Sequence, residues 1–105
     1  MKTAWRIWLF AAIALATIPA QAAFRVFACE PEWASLVQAL GGDRVSAYAA
    51  TTAQQDVHHI EARPSLIARM RNADLVVCSG SGLEIGWLPL LLRQSGNARV
   101  HAGGD

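Results

Sequence analysis

The sequence predicts an α/β domain in which helices flank a parallel sheet. Short apolar runs typical of strands alternate with segments of helical periodicity. The run Asp74 to Cys78 is compact and contains two valines, as expected of a buried strand. Gly41 and Gly42 mark the end of the first helical segment. Such alternation places parallel strands side by side, with the connecting helices packed on the faces of the sheet.

The first predicted strand is the aromatic and apolar run Phe24 to Ala28. A helix follows at Pro31, because proline suits the first turn and the neighbouring acids suit the positive end of a helix. We expect this helix to pack through one apolar face, formed by Trp33, Leu36, Val37 and Leu40. A second, weaker strand is predicted over Arg44 to Thr51, where alanines are frequent.

Pro64 and Ser65 open the second predicted helix, whose inward residues are Leu66, Ile67 and Met70. After the strand at Asp74 to Cys78, a Gly-Ser turn leads to a third helix over Leu83 to Gln94. Its inward side would carry Leu83, Trp87, Leu90 and Leu91, with a kink at Pro89. A last strand is predicted over Ala98 to His101.

Residues 1–22 have the three regions of a secretory signal peptide. Lys2 and Arg6 supply positive charge, Ile7 to Ile18 is an apolar run, and Ala20-Gln21-Ala22 is a small-x-small cleavage site. The apolar run has about a dozen residues, against the roughly 20 needed to span a bilayer. We therefore expect an exported protein whose folded domain is residues 23–105.

The charge of the exported part argues against nucleic acid as a partner. The chain has nine Lys and Arg residues, and removing Lys2 and Arg6 leaves seven arginines against eight acids. A nucleic-acid-binding surface would need clustered basic residues. The absence of lysine from residues 23–105 also excludes a phosphate loop of the Gly-Lys-Ser type. Gly80-Ser81-Gly82 lacks the spacing of a hydrolase nucleophile elbow, and we predict no enzyme.

Two of the three histidines, His58 and His59, lie side by side in a polar loop before the helix at Pro64. In open parallel sheets, loops that follow the carboxyl ends of strands bind ligands. Neutral imidazole is a common ligand of zinc and related ions. The pair alone fits two solvated loop histidines better than a metal site.

Cys29 and Cys78 form an even count in an exported chain, which permits a disulfide. Both lie at the carboxyl ends of predicted strands that can be neighbours in the sheet. Two buried free thiols fit the sequence equally well, and the spacing of the pair matches no zinc motif.

The order of several short motifs resembles one protein family. They are Gly41-Gly42-Asp43-Arg44-Val45, Asp56-x-His58, Arg63-Pro64-Ser65, Asn72-Ala73-Asp74-Leu75-Val76-Val77, Gly82-Leu83-Glu84 and Trp87-Leu88. Together they resemble the N-terminal half of the metal-binding solute-binding proteins of bacterial zinc and manganese ABC importers. The resemblance implies two α/β lobes joined by a long rigid helix, with the metal between the lobes. This chain corresponds to the single N-terminal lobe.

The family's metal ligands are typically three histidines with a carboxylate or a water. The resemblance gives the first-ligand role to His58, which lies six residues before Pro64 as in the family. His59 occupies the adjacent variable position and is a second candidate. Val57 replaces the family's usual proline, and Ile60 its usual aromatic residue.

The family's later ligands lie in or beyond the linking helix, and His101 does not fit the spacing of the second histidine. The resemblance therefore implies a truncated member whose lobe alone binds zinc weakly, since a closed zinc site takes about four ligands. Glu84 belongs to a recurring Leu-Glu pair of structural use in the family.

The implied function is that of a monomer that captures a divalent metal ion in the periplasm. Zinc is the expected ion and manganese the alternative. An ABC transporter permease in the inner membrane would receive the ion, and the affinity would fall in acid because protons compete for imidazole nitrogen. The residues also allow a single-lobe periplasmic metallochaperone or accessory module, or a non-functional truncated product.

Overall fold

The computed structural model describes residues 21–102, which form a three-stranded parallel sheet flanked by helices. The elements in chain order are β1 (Phe24–Ala28), α1 (Pro31–Gly41), β2 (Val45–Ala49), α2 (Pro64–Arg71), β3 (Leu75–Val77) and α3 (Leu88–Ser95), with a short 3-10 turn at Gly42–Arg44. The predicted fold class is confirmed. The predicted leader lies outside the described residues except for its last two positions. Within the described range, every helix is too short or too polar to cross a membrane.

The strand order is β2-β1-β3, and β1 runs parallel to both of its neighbours. Ala28 at the end of β1 is opposite Ala49 on one side and Val77 on the other. The carboxyl ends of all three strands therefore meet at one edge of the sheet. Both cysteines lie at this edge, and the loop that carries the histidine pair begins there.

β1 is the buried strand, since Val26, Phe27 and Ala28 are almost fully covered. The sequence prediction that the run after Asp74 is buried was wrong, because β3 lies at the edge of the described sheet and Leu75 is exposed. Its valines are half-buried. A short apolar run fits both a central strand and an edge strand covered on one face.

The core lies between the sheet and the helix pair α2 and α3. Its largest fully buried side chains are Phe27, Leu66, Met70, Trp87 and Leu91. The predicted inward residues of α2 are confirmed for Leu66 and Met70, and Ile67 packs against the core while half-buried. Fully burying one such side chain contributes roughly 1.5–3 kcal/mol to stability.

The predicted packing face of α1 is confirmed for Trp33 and Val37, which are half-buried, and was wrong for Leu36 and Leu40. Leu36 and Leu40 are 47% and 80% exposed, and no residue of α1 is fully buried. The other half-buried residues of the helix are Pro31, Ala34 and Gly41. Gly41 lies directly against the Val45 side chain, where no Cβ would fit. The missing side chain lets the last turn of α1 lie against the start of β2.

The third helix begins five residues later than predicted. Residues 81–87 form turns, and α3 starts at Leu88 with Pro89 in its first turn. Proline lacks the N–H that a helix interior requires, whereas the first turn tolerates it. Trp87 and Leu91 are buried as expected, but Leu90 is 41% exposed.

The predicted strand over Ala98 to His101 is a turn in the structure. Asn97 explains the difference, because its side-chain oxygen accepts a hydrogen bond from the Arg99 N–H at 3.0 Å. Its amide group also donates to the carbonyls of Met70 and Ala73, at 2.9 and 2.8 Å. These bonds hold the chain in a turn beneath α2.

Candidate metal centre

The loop that carries the histidine pair runs from the end of β2 to α2, over residues 50–63. The Ala50 N–H donates to the carbonyl of Ala28 at 2.8 Å. The buried Thr51 hydroxyl donates to the carbonyl of Cys29, also at 2.8 Å. Both bonds tie the start of the loop to the carboxyl end of the central strand, which fixes its place at the sheet edge.

Asp56 organises the tip of this loop. Its Oδ1 accepts a hydrogen bond from the His58 backbone N–H at 3.0 Å, and its carbonyl accepts one from the His59 N–H at 3.1 Å. The carboxylate also reaches both rings, with Oδ1 2.7 Å from His58 Nδ1 and Oδ2 2.9 Å from His59 Nδ1. One carboxylate therefore orients two adjacent imidazoles.

These contacts hold the pKa of Asp56 well below its usual range. The causes, from the largest, are the hydrogen bond from the His59 ring, that from the His58 backbone N–H and that from the His58 ring. An ionised carboxylate can only accept, so each ring donates through Nδ1–H. In the neutral ring, Nε2 then keeps its free lone pair, which is the form in which imidazole binds a metal.

Both imidazoles are accessible from solvent. The side chains of His58 and His59 are 57% and 84% exposed, and their ring centres lie 6.3 Å apart. An open depression of about 820 Å³ adjoins them. Its other lining residues are Ile60, Glu61, Gly82, Leu83, Ile85 and Gly86. An ion can therefore reach the loop without any rearrangement of the core.

The turn before α3 contacts the backbone of the histidine loop. The Nε1–H of Trp87, a fully buried residue, donates to the carbonyl of Val57 at 2.7 Å. Gly86 packs so closely that a Cβ there would lie 2.8 Å from the His58 carbonyl oxygen. The sequence predicted Trp87 only as a core residue. No sequence pattern indicated that its indole N–H and the adjacent Gly86 position the loop that carries His58.

A second group of polar residues lies buried at the same edge of the sheet. Glu84 is 3% exposed, and its carboxylate accepts hydrogen bonds from the backbone N–H groups of Ser79 at 2.9 Å and Gly80 at 3.0 Å. Glu30 is 5% exposed, and its Oε2 accepts from the Ser79 N–H and hydroxyl at 3.3 and 3.2 Å. Sequence reasoning treated Glu30 only as an acid near a helix start.

Burial, reinforced by the hydrogen bond and the charge of Glu84, raises the pKa of Glu30 from 4.5 to about 7. Two buried carboxylates in contact cannot both ionise without a large cost in free energy, so Glu30 keeps its proton up to about pH 7. Its buried Oε1 receives no donor from the other described residues, as expected of a carboxyl that shares its proton with Glu84.

The structure joins Cys29 and Cys78 in a disulfide, one of the two alternatives that the sequence left open. The ligating atoms of Cys29, Cys78 and Glu84 all lie within 4.8 Å of one another. Sulfurs bonded to each other are not thiolates, so the oxidised pair cannot serve as metal ligands. His101 lines a separate depression with Leu92 and Val100, and the structure does not place it beside the histidine loop.

The comparisons with known proteins place the chain in a family. The sequence profile of the zinc-uptake complex component A periplasmic family (ZnuA) matches residues 26–104. No curated protein matches the chain. Because the profile spans most of the sequence, the chain belongs to this family of metal ABC transporter solute-binding proteins. It is a family of periplasmic transport components, not of enzymes.

Proposed function

We propose that this member of the zinc-uptake family captures a divalent metal ion in the periplasm and delivers it to the permease of an ABC importer in the inner membrane. Zinc is the proposed ion, with manganese as the alternative. Besides the family match, one arrangement of hydrogen bonds in the histidine loop supports the proposal. A single ionised carboxylate, Asp56, binds Nδ1 of both His58 and His59 and leaves each Nε2 free for a metal.

His58 is the proposed first ligand. Its backbone is held from below by Gly86 and Trp87, and its ring is held by Asp56 at 2.7 Å. A ring fixed at Nδ1 loses little freedom when Nε2 binds an ion, and the carboxylate makes that nitrogen more basic. His59 is the more exposed of the two rings, and we assign it a supporting role at the start of capture.

The ligand type favours zinc over manganese, because imidazole suits zinc whereas carboxylate and water suit manganese. A closed zinc site takes about four ligands. In the proposed mechanism, the second lobe implied by the family resemblance contributes the remaining ones, and the ion is enclosed between the lobes. The predicted leader, residues 1–22, would deliver the protein to the periplasm.

A competitive zinc titration tests the proposal, using the chain from Ala23, the expected product of leader cleavage. The wild type is compared with His58→Ala, His59→Ala and His101→Ala. We expect weak binding by the wild type, no detectable binding after loss of His58, a smaller loss without His59 and no change without His101. The same titration with manganese should give weaker binding.

Each other outcome has a definite meaning. Binding that survives His58→Ala in a folded protein would refute the ligand assignment. Tight one-to-one binding by the wild type would favour the single-lobe metallochaperone, because the lobe would then complete a site without further ligands. A chain that does not fold cooperatively would favour the non-functional product.

A further inference from the structure

The charged residues are distributed unevenly between the two ends of the described domain. Helices that follow parallel strands run back across the sheet, so their last turns lie at the amino ends of the strands. At the carboxyl edge the described residues include one arginine, Arg63, and the acids Glu30, Glu32, Asp56, Glu61 and Glu84. The opposite end, here called the basic end, carries Asp43 and Asp74 and six exposed arginines: Arg25, Arg44, Arg69, Arg71, Arg93 and Arg99.

Contacts in the fold bring together arginines that are distant in the sequence. The carboxylate of Asp74 accepts a hydrogen bond from the Arg25 backbone N–H at 2.8 Å and lies 3.6 Å from the Arg99 guanidinium. Arg99 in turn donates to the carbonyl of Arg71 at 3.4 Å, and Arg44 lines an open depression together with Arg25. The two acids of the basic end offset only two of its six positive charges. A net positive surface therefore exists that the nearly neutral sequence does not reveal.

Large apolar side chains are exposed at the same end. Leu40 in the last turn of α1 is 80% exposed, Phe24 at the start of β1 is 49% exposed, and Leu75 at the start of β3 is 44% exposed. Arginines mixed with exposed aromatic and aliphatic side chains suit the surface of a bilayer, where apolar groups enter between the headgroups. The apolar residues therefore favour an anionic lipid surface over an acidic folded protein as the partner.

The start of the folded domain lies at the basic end as well. Residues 21–23 line the same depression as Phe24, Arg25 and Arg44. The predicted leader, residues 1–22, would therefore join the domain at the basic end. An apolar leader in the membrane would hold this end nearest to the lipid during export, with the histidine loop pointing away.

We propose that the basic end binds the anionic lipid surface of the inner membrane. The guanidinium groups pair with lipid phosphates, to which arginine donates two parallel hydrogen bonds, and Phe24, Leu40 and Leu75 enter the headgroup layer. The histidine loop then faces away from the bilayer, where it is open to ions in solution. This binding uses the opposite end of the sheet from the histidine loop, so it does not rest on the function proposed above.

Vesicle sedimentation tests the proposal, with the chain from Ala23 and vesicles of phosphatidylcholine, either alone or mixed with anionic phosphatidylglycerol. We expect binding to the mixed vesicles only, and weaker binding as salt is added, because ions screen the attraction. Arg44→Gln and Arg69→Gln should each lower the partition coefficient about fivefold. Arg63→Gln is the matched control, since it removes the same charge at the carboxyl edge, and it should leave the partition coefficient unchanged.

Two tryptophan reporters test the orientation. Phe24→Trp should shift the fluorescence to shorter wavelength on mixed vesicles, because the indole enters the headgroup layer. Ile85→Trp places the reporter in the exposed turn beside the histidine loop, and it should give no shift beyond that of the wild type. A shift in Ile85→Trp but not in Phe24→Trp would overturn the proposed orientation.

Circular dichroism of every variant confirms that the comparison is between folded proteins. A folded wild type that does not bind the mixed vesicles overturns the proposal, and so does an equal loss of binding in Arg63→Gln and Arg44→Gln. Binding to soluble polyglutamate without binding to vesicles would assign the basic end to an acidic protein instead. Vesicle binding by a wild type that is not folded would also overturn the proposal, since the basic end exists only in the folded chain.

Discussion

Two carboxylates near the same edge of the sheet behave in opposite ways. Asp56 lies in an exposed loop, where two rings and a backbone N–H donate to it, and its pKa is lowered. Glu30 lies under the turn before α3, where burial and the neighbouring Glu84 raise its pKa to about 7. The number of donors and the access of water, rather than position in the fold, decide which group stays charged. The exposed carboxylate orients the two imidazoles, and the buried one keeps its proton up to about pH 7.

The largest expected effect on stability comes from removing the disulfide, which lies at the sheet edge near the two buried carboxylates. Cys29→Ser together with Cys78→Ser should lower the free energy of unfolding by about 3 kcal/mol, because the disulfide joins residues 49 apart and so restricts the unfolded chain. Urea denaturation followed by tryptophan fluorescence measures the change. A loss below about 1 kcal/mol would mean that the buried edge is held mainly by its other contacts.

The next largest effect is a pH dependence of the free energy of unfolding that is caused by Glu30. Because the pKa of Glu30 is raised in the folded state, its stabilisation is complete below its ordinary pKa of 4.5 and is lost as the pH rises through about 7. The free energy of unfolding of the wild type should therefore fall by on the order of 2 kcal/mol across this interval.

Glu30→Gln is the matched control for that measurement, because the amide imitates the protonated acid. The difference in stability between wild type and variant isolates Glu30 from the histidines, which are present in both proteins. The two proteins should differ least near pH 4.5 and most above pH 7, where the variant is the more stable. Parallel pH profiles would contradict the burial of a protonated carboxyl at this place.

Trp87→Phe tests how the core supports the exposed loop. It removes the donor to the Val57 carbonyl and part of a fully buried side chain, so the free energy of unfolding should fall by about 1–2 kcal/mol. Zinc affinity of the histidine loop should fall as well. Trp33→Phe is the control, because Trp33 donates to the Ser79 hydroxyl on the opposite side of the turn. Equal zinc affinities in the two variants would remove the supporting role of Trp87.

The smallest effect on stability is expected at the exposed carboxylate. Asp56→Asn should leave the free energy of unfolding nearly unchanged, because the side chain is exposed. Zinc affinity should nevertheless fall about tenfold, as for other partners of metal-binding histidines. Asp43→Asn, an exposed acid in the 3-10 turn, should change neither quantity. Unchanged affinity in Asp56→Asn would mean that the rings do not need the carboxylate.

The sequence predicted the fold class because each β-α transition left its own local pattern. The details that it missed depend on contacts between elements. Gly41 ended α1 as predicted, but its close approach to the Val45 side chain was not predicted, because no pattern within α1 records a neighbour in β2. Pro89 was recognised as a disturbance, but whether a proline kinks a helix or starts one is decided by the surrounding turn.

The histidine loop could be located from the sequence, whereas the buried pair of carboxylates could not. The position of the loop that carries His58 followed from parallel topology, which brings the loop after β2 to the carboxyl edge of the sheet. The Asp56 spacing offered a usable signal, since an acid two residues before a backbone N–H commonly closes a turn. Glu30 offered none, because an acid at the start of a helix is normally solvated. Its burial depends on Ser79 and Glu84, 49 and 54 positions away by residue number.

The most direct test of the central claim is nitrogen NMR of the imidazole rings, with and without zinc. If Asp56 orients the rings for capture, His58 without metal carries its proton on Nδ1, and zinc shifts the Nε2 resonance. Asp56→Asn should then mix the two tautomers before zinc is added. A proton on Nε2 in the metal-free protein, or a response to zinc at Nδ1, would contradict the account.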